Sequence, residues 1–212
     1  MDVVVAGGHG KIGLRLLQLL AERGDRARGL IRHPDQAPDL EAAGAEPVIC
    51  DLEGEDDVAP FVEGADAVVF AAGAGPGSGA ARKRTMDFGG AVKLIEAARA
   101  ESIGRYVIVS SIGADHPERA SEQMRPYVQA KHDADVALAD SGLAFTIVRP
   151  GRLTDDPGSG RVSLGPDLPR GEVARDDVAA VLAATLVADN TIGKTFVVVG
   201  GETPVEEAVA RL

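Results

Sequence analysis

Four residues between positions 110 and 131 carry groups able to move a proton or to hold negative charge developing on oxygen. Ser110 and Ser111 close the apolar run Tyr106-Val107-Ile108-Val109, and Tyr127 and Lys131 follow in a stretch of helical pattern. Residues four apart share one helical face, so the phenol and the ammonium meet. A free phenol titrates near ~10 and is a poor acid or base at neutral pH. Positive charge beside it favours the phenolate and brings it toward a useful range. A strand-end serine such as Ser111 can then fix the oxygen that receives the proton.

A second constellation lies at the start of the chain. Val3–Ala6 runs into Gly7-Gly8-His9-Gly10-Lys11-Ile12-Gly13, and an amphipathic helical pattern follows at once. One glycine permits a tight turn, another lets backbone approach a pyrophosphate without a Cβ between them, and Gly13 lets the helix pack closely on the strand. The helix N-terminus then points its amides and its dipole at the phosphates. His9 is expected to be solvent-exposed and to take no part in chemistry. A turn of this kind, in this context, predicts a bound adenine dinucleotide. Its identity is read from the end of the second strand, where an acidic residue would accept from the ribose hydroxyls of NAD. Arg32 stands there instead, in Gly29-Leu30-Ile31-Arg32-His33-Pro34. A guanidinium pairs with the additional phosphate of NADP and stacks on adenine, so NADP(H) is the expected cofactor. Asp51, ending the third strand, can accept from the adenine amino group or serve a turn.

The elements that must position these groups alternate along the whole chain. Strands are predicted at Val3–Ala6, Ala27–Ile31, Pro47–Cys50, Ala67–Ala71, Tyr106–Ser110, Ala144–Val148 and Thr195–Val199, and helices at Ile12–Arg23, Val58–Val62, Arg82–Glu101, Pro126–Ser141 and Arg175–Ala188. The strands are short and almost continuously apolar, as strands covered on both faces are. In the helix from Arg82, the spacing of Phe88, Val92, Ile95 and Ala98 predicts one buried stripe. Thr203, Pro204 and Glu206 predict a capping box with proline at the first helical position. Strand–helix alternation with right-handed crossovers gives an α/β fold, a doubly wound parallel sheet of the Rossmann type. A single domain is expected over residues 1–212, with a small C-terminal substrate-side region. Its substrate-side loops are mainly 73–80, 112–125 and 151–172. The glycine-rich segments Gly73–Gly79 and Asp155–Gly165 within them read as mobile loops over the site, since both follow the carboxyl ends of strands.

Composition narrows the partners. The formal net charge of -11 argues against nucleic acid and acidic membrane surfaces, both of which call for a basic face. No apolar run approaches the ~20 residues of a membrane span, and the beginning of the sequence lacks a signal-peptide pattern. The one cysteine, Cys50, cannot form an internal disulfide and is expected to be a buried packing thiol, which suits a reducing cytoplasm. The partner is therefore expected to be a small molecule. No metal site is expected, and the lack of a surplus amphipathic helix favours a monomer. Aromatic residues make up only 3% of the chain, so a large flat substrate has few stacking partners beyond Phe70, Phe88, Tyr127 and Phe145.

VVVAGGHGKIG, the Arg32 strand end, VVFAAGAG, Thr85-Met86-Asp87, YVIVSSIGA, the Tyr127–Lys131 pair, TIVRPGRL, GEVARDDVA and GKTFVVVGGETPVEEA together resemble the atypical short-chain dehydrogenase/reductases. The chain is most similar to their small NmrA-like, NAD(P)-binding, epimerase-like branch, along nearly its whole length. The resemblance implies NADP bound across Gly7, Gly8, Gly10, Lys11, Ile12 and Gly13, with Arg32 at the ribose phosphate. It implies Asp51 and Leu52 near adenine and Ala71, Ala72 and Gly73 along the ribose. Ser110, Lys131, Pro150, Gly151, Arg152 and Leu153 would flank the nicotinamide. Asp87 replaces the helical asparagine of the better-studied short-chain dehydrogenases, and an aspartate has no amide hydrogen to donate. Ser111, Tyr127, Lys131 and Asp87 are thus the candidate catalytic set. The leading expectation is an NADPH-dependent reductase passing hydride to a carbonyl or conjugated acceptor. The alternatives are a protein that senses NADP without consuming it, and an NAD(P)-dependent epimerase or dehydratase.

Overall fold

A computed structural model describes residues 1–75 and 77–212. Its main sheet takes the chain through β1 (Asp2–Ala6), β2 (Arg26–Ile31), β3 (Glu46–Ile49), β4 (Ala67–Phe70), β5 (Arg105–Val109), β6 (Phe145–Pro150), β8 (Arg161–Gly165), β10 (Lys194–Gly200) and β11 (Thr203–Pro204). A separate parallel pair joins β7 (Arg152–Thr154) to β9 (Glu172–Ala174). Across the main sheet the order is β11-β8-β10-β6-β5-β4-β1-β2-β3, with β3 through β10 parallel and β8 antiparallel to both β10 and β11. The strand order reverses between β1 and β4. In a doubly wound sheet the crevice at the carboxyl ends there is the ligand site.

Helices α1 (Lys11–Glu22), α2 (Ala37–Ala42), α3 (Ala59–Val62), α4 (Ala80–Arg82), α5 (Ala91–Ala100), α6 (Arg125–Ala139), α7 (Arg175–Leu186) and α8 (Val205–Ala210) cover the two faces. Alternation along each strand divides the core. Val3, Val5, Val69, Val107 and Val198 meet Leu16, Leu17 and Leu20 of α1 and Val178, Val181 and Leu182 of α7. Val4, Val68, Phe70, Tyr106 and Ile108 meet Leu94, Ile95 and Ala98 of α5 and Ala134 and Leu138 of α6. Each fully buried side chain of this size contributes roughly 1.5–3 kcal/mol. Pairing of this kind on both faces accounts for the near-absence of polar alternation in β1, β4 and β5.

Several local expectations are corrected. The helix foreseen from Arg82 is interrupted by a π-helical stretch, Lys83–Gly90, between α4 and α5. Its wider turns shift the register, so the buried face runs through Met86, Asp87, Gly90, Ala91 and Leu94, while Phe88 and Val92 are only half-buried. The expected capping box at Thr203 does not form. Thr203 and Pro204 pair with Val162 and Arg161 as β11, and the Val205 N–H donates to the Gly160 carbonyl, so the first helical amide is satisfied by backbone. The segment Asp155–Gly165 is not a free loop over the site. Its second half is β8, and its first half is tied down by Asp176 and Asp177, whose carboxylates accept from the N–H groups of Gly158, Ser159 and Gly160. The Gly73–Gly79 segment does lie between β4 and α4, with position 76 outside the described residues.

Candidate active site

The first turn is built on close backbone contacts at its glycines. Gly7 takes φ +82°, and a Cβ there would stand 2.7 Å from Ala72 Cα. At Gly13 a Cβ would stand 2.2 Å from the Gly7 carbonyl oxygen. Both glycines are therefore required by the close backbone approaches of the turn itself. Helix α1 begins at Lys11 with Gly10 as its cap residue and no side-chain hydrogen bond on its first-turn amides. Those amides have no intrahelical partner, so they and the helix dipole remain available to an anion. Ile12 is buried and anchors the turn to the core. The Lys11 ammonium turns aside to Asp155, 2.6 Å away. Its contribution at the turn is therefore its backbone.

An open cavity of about 270 Å³ begins at this turn and follows the carboxyl ends of β1 to β4. Gly7, Gly10, Leu30, Arg32, Cys50, Asp51, Leu52, Ala71, Ala72 and Gly73 line it, with Arg82 and Met86 on the helical wall. Asp51 spends one carboxylate oxygen on the Glu53 N–H at 3.0 Å, an Asx turn that holds the β3 end against the cavity. The Arg32 guanidinium donates to His33 Nε2 and lies 3.7 Å from Glu53 Oε2. Cys50 is buried at the cavity floor, and burial, with the charges of Glu55 and Asp51, pushes its thiol up to about 12. It is a packing group, as expected.

The serine, tyrosine and lysine group sits at the end of β5. Lys131 is 4% exposed and donates to the Val109 carbonyl at 3.0 Å; its nitrogen is 3.4 Å from Asp87 Oδ1. Asp87 is 1% exposed and accepts from the Ala74 N–H through Oδ2 at 3.2 Å. The π-helical turn is what carries this carboxylate inward, and such turns recur at functional sites. Tyr127, in the first turns of α6, is half-buried, and two ammonium groups face its ring: Lys83 Nζ at 5.3 Å and Lys131 Nζ at 5.9 Å from the centroid. Ser111 is half-buried, with only a long 3.4 Å contact from its hydroxyl to the Ile112 carbonyl.

The Ser110 hydroxyl is buried and donates to Asp135 Oδ2 at 2.9 Å in the interior. Arg149 completes that group with its Nη2 2.9 Å from the same oxygen, and burial raises the Asp135 carboxyl above its ordinary range against the pull of Arg149 and Ser110. Through this bond Ser110 ties the end of β5 to α6. Beyond β6, the Pro150 carbonyl accepts from the Ile112 N–H at 3.0 Å, which binds the two strand ends together. A Cβ on Gly151 would stand 2.3 Å from the Gly171 carbonyl oxygen, so that glycine serves backbone packing. Arg152 is exposed and paired with Glu172, and Leu153 is half-buried in β7.

Residues 7–189 match the family model described as NAD(P)H-binding. "Uncharacterized sugar epimerase YhfK" of Bacillus subtilis is 42% identical, with both chains covered over 100% of their length. Among solved structures, a candidate NAD-dependent epimerase/dehydratase from Bacillus halodurans superposes with a TM-score of 0.96 at 39% identity and full coverage of both chains. The oxidoreductase ylbE of Lactococcus lactis superposes with a TM-score of 0.89 at 27% identity, covering 100% of this chain and 96% of its own.

The chain belongs to the NAD(P)H-binding family. Within it, the protein falls in the atypical short-chain dehydrogenase/reductase, NmrA-like branch, an oxidoreductase- and epimerase-like group. For this NAD(P)H-binding protein, sequence reasoning overlooked three groups at the site: Glu53, Arg82 and Lys83. The basic run Arg82-Lys83-Arg84 was visible in the sequence, but which of its members turn inward depends on the π-helical register. Arg84 turns outward to Asp133, whereas Arg82 lines the cavity and Lys83 covers the Tyr127 ring. Among the described residues, no helix is long and apolar enough to cross a membrane.

Proposed function

We propose that this protein is an NADP(H)-dependent reductase that acts on a carbonyl or conjugated small-molecule acceptor in the cytoplasm. The observation that carries the reading is the pair of lysine ammonium groups over the Tyr127 ring, Lys83 at 5.3 Å and Lys131 at 5.9 Å from its centroid, with Lys131 bonded to the Val109 carbonyl that ends β5. The residues fit the coenzyme, since the N-terminus of α1 carries no side-chain cap and the turn borders an open cavity that Arg32 also lines. The amides of Lys11, Ile12 and Gly13 would hold the pyrophosphate, Arg32 the ribose phosphate, and Asp51 and Leu52 the adenine. When bound, the reduced coenzyme supplies the hydride.

The chain itself has a smaller task. Tyr127 delivers a proton from Oη to the acceptor oxygen, and the ammonium groups of Lys83 and Lys131 stabilise the phenolate left behind. The Ser111 hydroxyl donates to the same acceptor oxygen as its charge develops. Lys131 is fixed for this by Val109 and Asp87, so it needs no reorganisation during proton transfer. One observation favours a second reading, binding without turnover. The Asp87 carboxylate offsets the Lys131 charge, which weakens its pull on the phenol.

NADPH oxidation with a panel of quinones, flavins and small ketones separates the two. The reductase reading expects turnover with at least one acceptor and a loss of about 10²-fold or more in Tyr127→Phe, in line with general acid catalysis. Full activity in Tyr127→Phe refutes the proton-donor role. Tight NADPH binding with no turnover across the panel favours the sensing reading.

A further inference from the structure

Two arginines that line the cavity share one carboxylate. Glu53, just past β3, sets its carboxylate between two guanidinium groups from opposite walls: Arg82 Nε lies 3.1 Å from Oε2, and Arg32 Nη1 lies 3.7 Å from the same oxygen. The other oxygen, Oε1, accepts from the Thr85 hydroxyl at 2.6 Å. Arg32 and Arg82 both line the cavity that runs from the glycine turn. Among the described residues, Glu53 is the carboxylate common to both. Arg82 and Thr85 flank the beginning of the π-helical stretch, so the geometry of that turn brings the second guanidinium to the first.

We infer that Arg82 is a second specificity-determining residue for the ribose 2′-phosphate of the coenzyme, and that Glu53 is an internal competitor holding the Arg32–Arg82 clamp when the phosphate is absent. The inference rests on the NADP(H) reading above and adds to it a residue and a regulating contact. A phosphate monoester carries about −1.5 to −2 charge at neutral pH and three acceptor oxygens, which suits two forked donors better than one. A carboxylate carries one charge. With Glu53 in place the cluster sums to +1, and a dianionic phosphate entering beside it meets repulsion from Glu53 as well as attraction from both arginines. The phosphorylated coenzyme therefore competes with Glu53 for the two guanidinium groups, while the Thr85 hydroxyl continues to hold the other carboxylate oxygen. All three charged side chains are partly exposed, at 40%, 42% and 22% for Arg32, Arg82 and Glu53. The arrangement can therefore rearrange without opening the core.

The adenosine half can be tested alone, by calorimetry with 2′,5′-ADP and 5′-AMP on the full chain and its variants. Arg82→Ala is expected to weaken 2′,5′-ADP about tenfold while leaving 5′-AMP within about twofold, the loss of one charge-assisted contact. Glu53→Gln, which keeps an oxygen for Thr85, is expected to tighten 2′,5′-ADP severalfold with no effect on 5′-AMP. Equal weakening of both ligands by Arg82→Ala, or no weakening of either, overturns the clamp. An unchanged 2′,5′-ADP affinity in Glu53→Gln overturns the competition. If the wild type itself prefers 5′-AMP or shows no preference, the NADP(H) reading falls first. If the wild type prefers 2′,5′-ADP and loses that preference only in Arg32→Ala, the coenzyme reading stands and this inference alone fails.

Discussion

Replacing Asp87 by asparagine tests how the site holds its lysine. The Lys131 nitrogen and Asp87 Oδ1 are 3.4 Å apart, and the two residues are 4% and 1% exposed. At that distance the attraction between unit charges is about 5 kcal/mol for an effective dielectric of about 20. Desolvation of both ions offsets much of it, so the pair as a whole adds little net stability. Removing one partner is different, because the other charge stays buried and unpaired at a cost of about 3–5 kcal/mol. Asparagine keeps an oxygen for the Ala74 N–H and changes little besides the charge. For a chain of this length each kcal/mol corresponds to about 2–4 °C in Tm, so Asp87→Asn should melt about 6–20 °C below the wild type at pH 7. Lys131→Met in the same background removes the stranded charge and should recover part of the loss. A double-mutant cycle should then give a coupling of at least ~1.5 kcal/mol by calorimetric or denaturant unfolding. A Tm within about 1 °C of wild type, together with coupling below ~0.5 kcal/mol, would refute the ion pair as the device that fixes Lys131.

Gly13→Ala must open the 2.2 Å approach to the Gly7 oxygen by roughly 1 Å to reach an ordinary carbon–oxygen contact. It should cost about 1–3 kcal/mol and abolish measurable coenzyme binding, whereas Gly104→Ala, with nothing nearer than 3.7 Å, should be neutral; coenzyme affinity kept in Gly13→Ala would sink the cradle argument. Cys50 should alkylate with iodoacetamide at pH 8 only as fast as the chain unfolds, since burial and the neighbouring carboxylates hold its thiol at about 12; a native rate equal to that in denaturant would contradict this. Asp155 is held below the ordinary carboxylate range chiefly by its Lys11 hydrogen bond, and Asp176 chiefly by that from Arg15. A carboxyl depressed in the folded state stabilises above its ordinary value and loses that contribution as pH falls through the depressed one. Hydrogen exchange at the Gly158 amide, which donates to Asp176, should therefore quicken selectively below about pH 4; a pH-independent protection factor would oppose it.

Local chemistry was enough to read the glycine cradle, Arg32 at the end of β2 and the Tyr127–Lys131 spacing from the sequence. A positive φ, a missing Cβ and an i,i+4 face are properties of a few neighbouring residues, and the unbroken apolar strands dictate a sheet covered on both sides. Contacts between distant segments could not be read in the same way. Ser110 faces Asp135 because α6 crosses the end of β5, and Arg161–Gly165 becomes strand because β10 presents an open edge to it. Asp87 meets Lys131, and Arg82 meets Glu53, where a π-helical turn interrupts the helix. No pattern of hydrophobic spacing records that interruption, since it is selected by the packing of the helix against α6 and the sheet. The sequence by itself determined the fold class and the coenzyme cradle; the tertiary structure decided which charges face one another across it, because Coulomb interactions depend on distances set by the packing of separate elements.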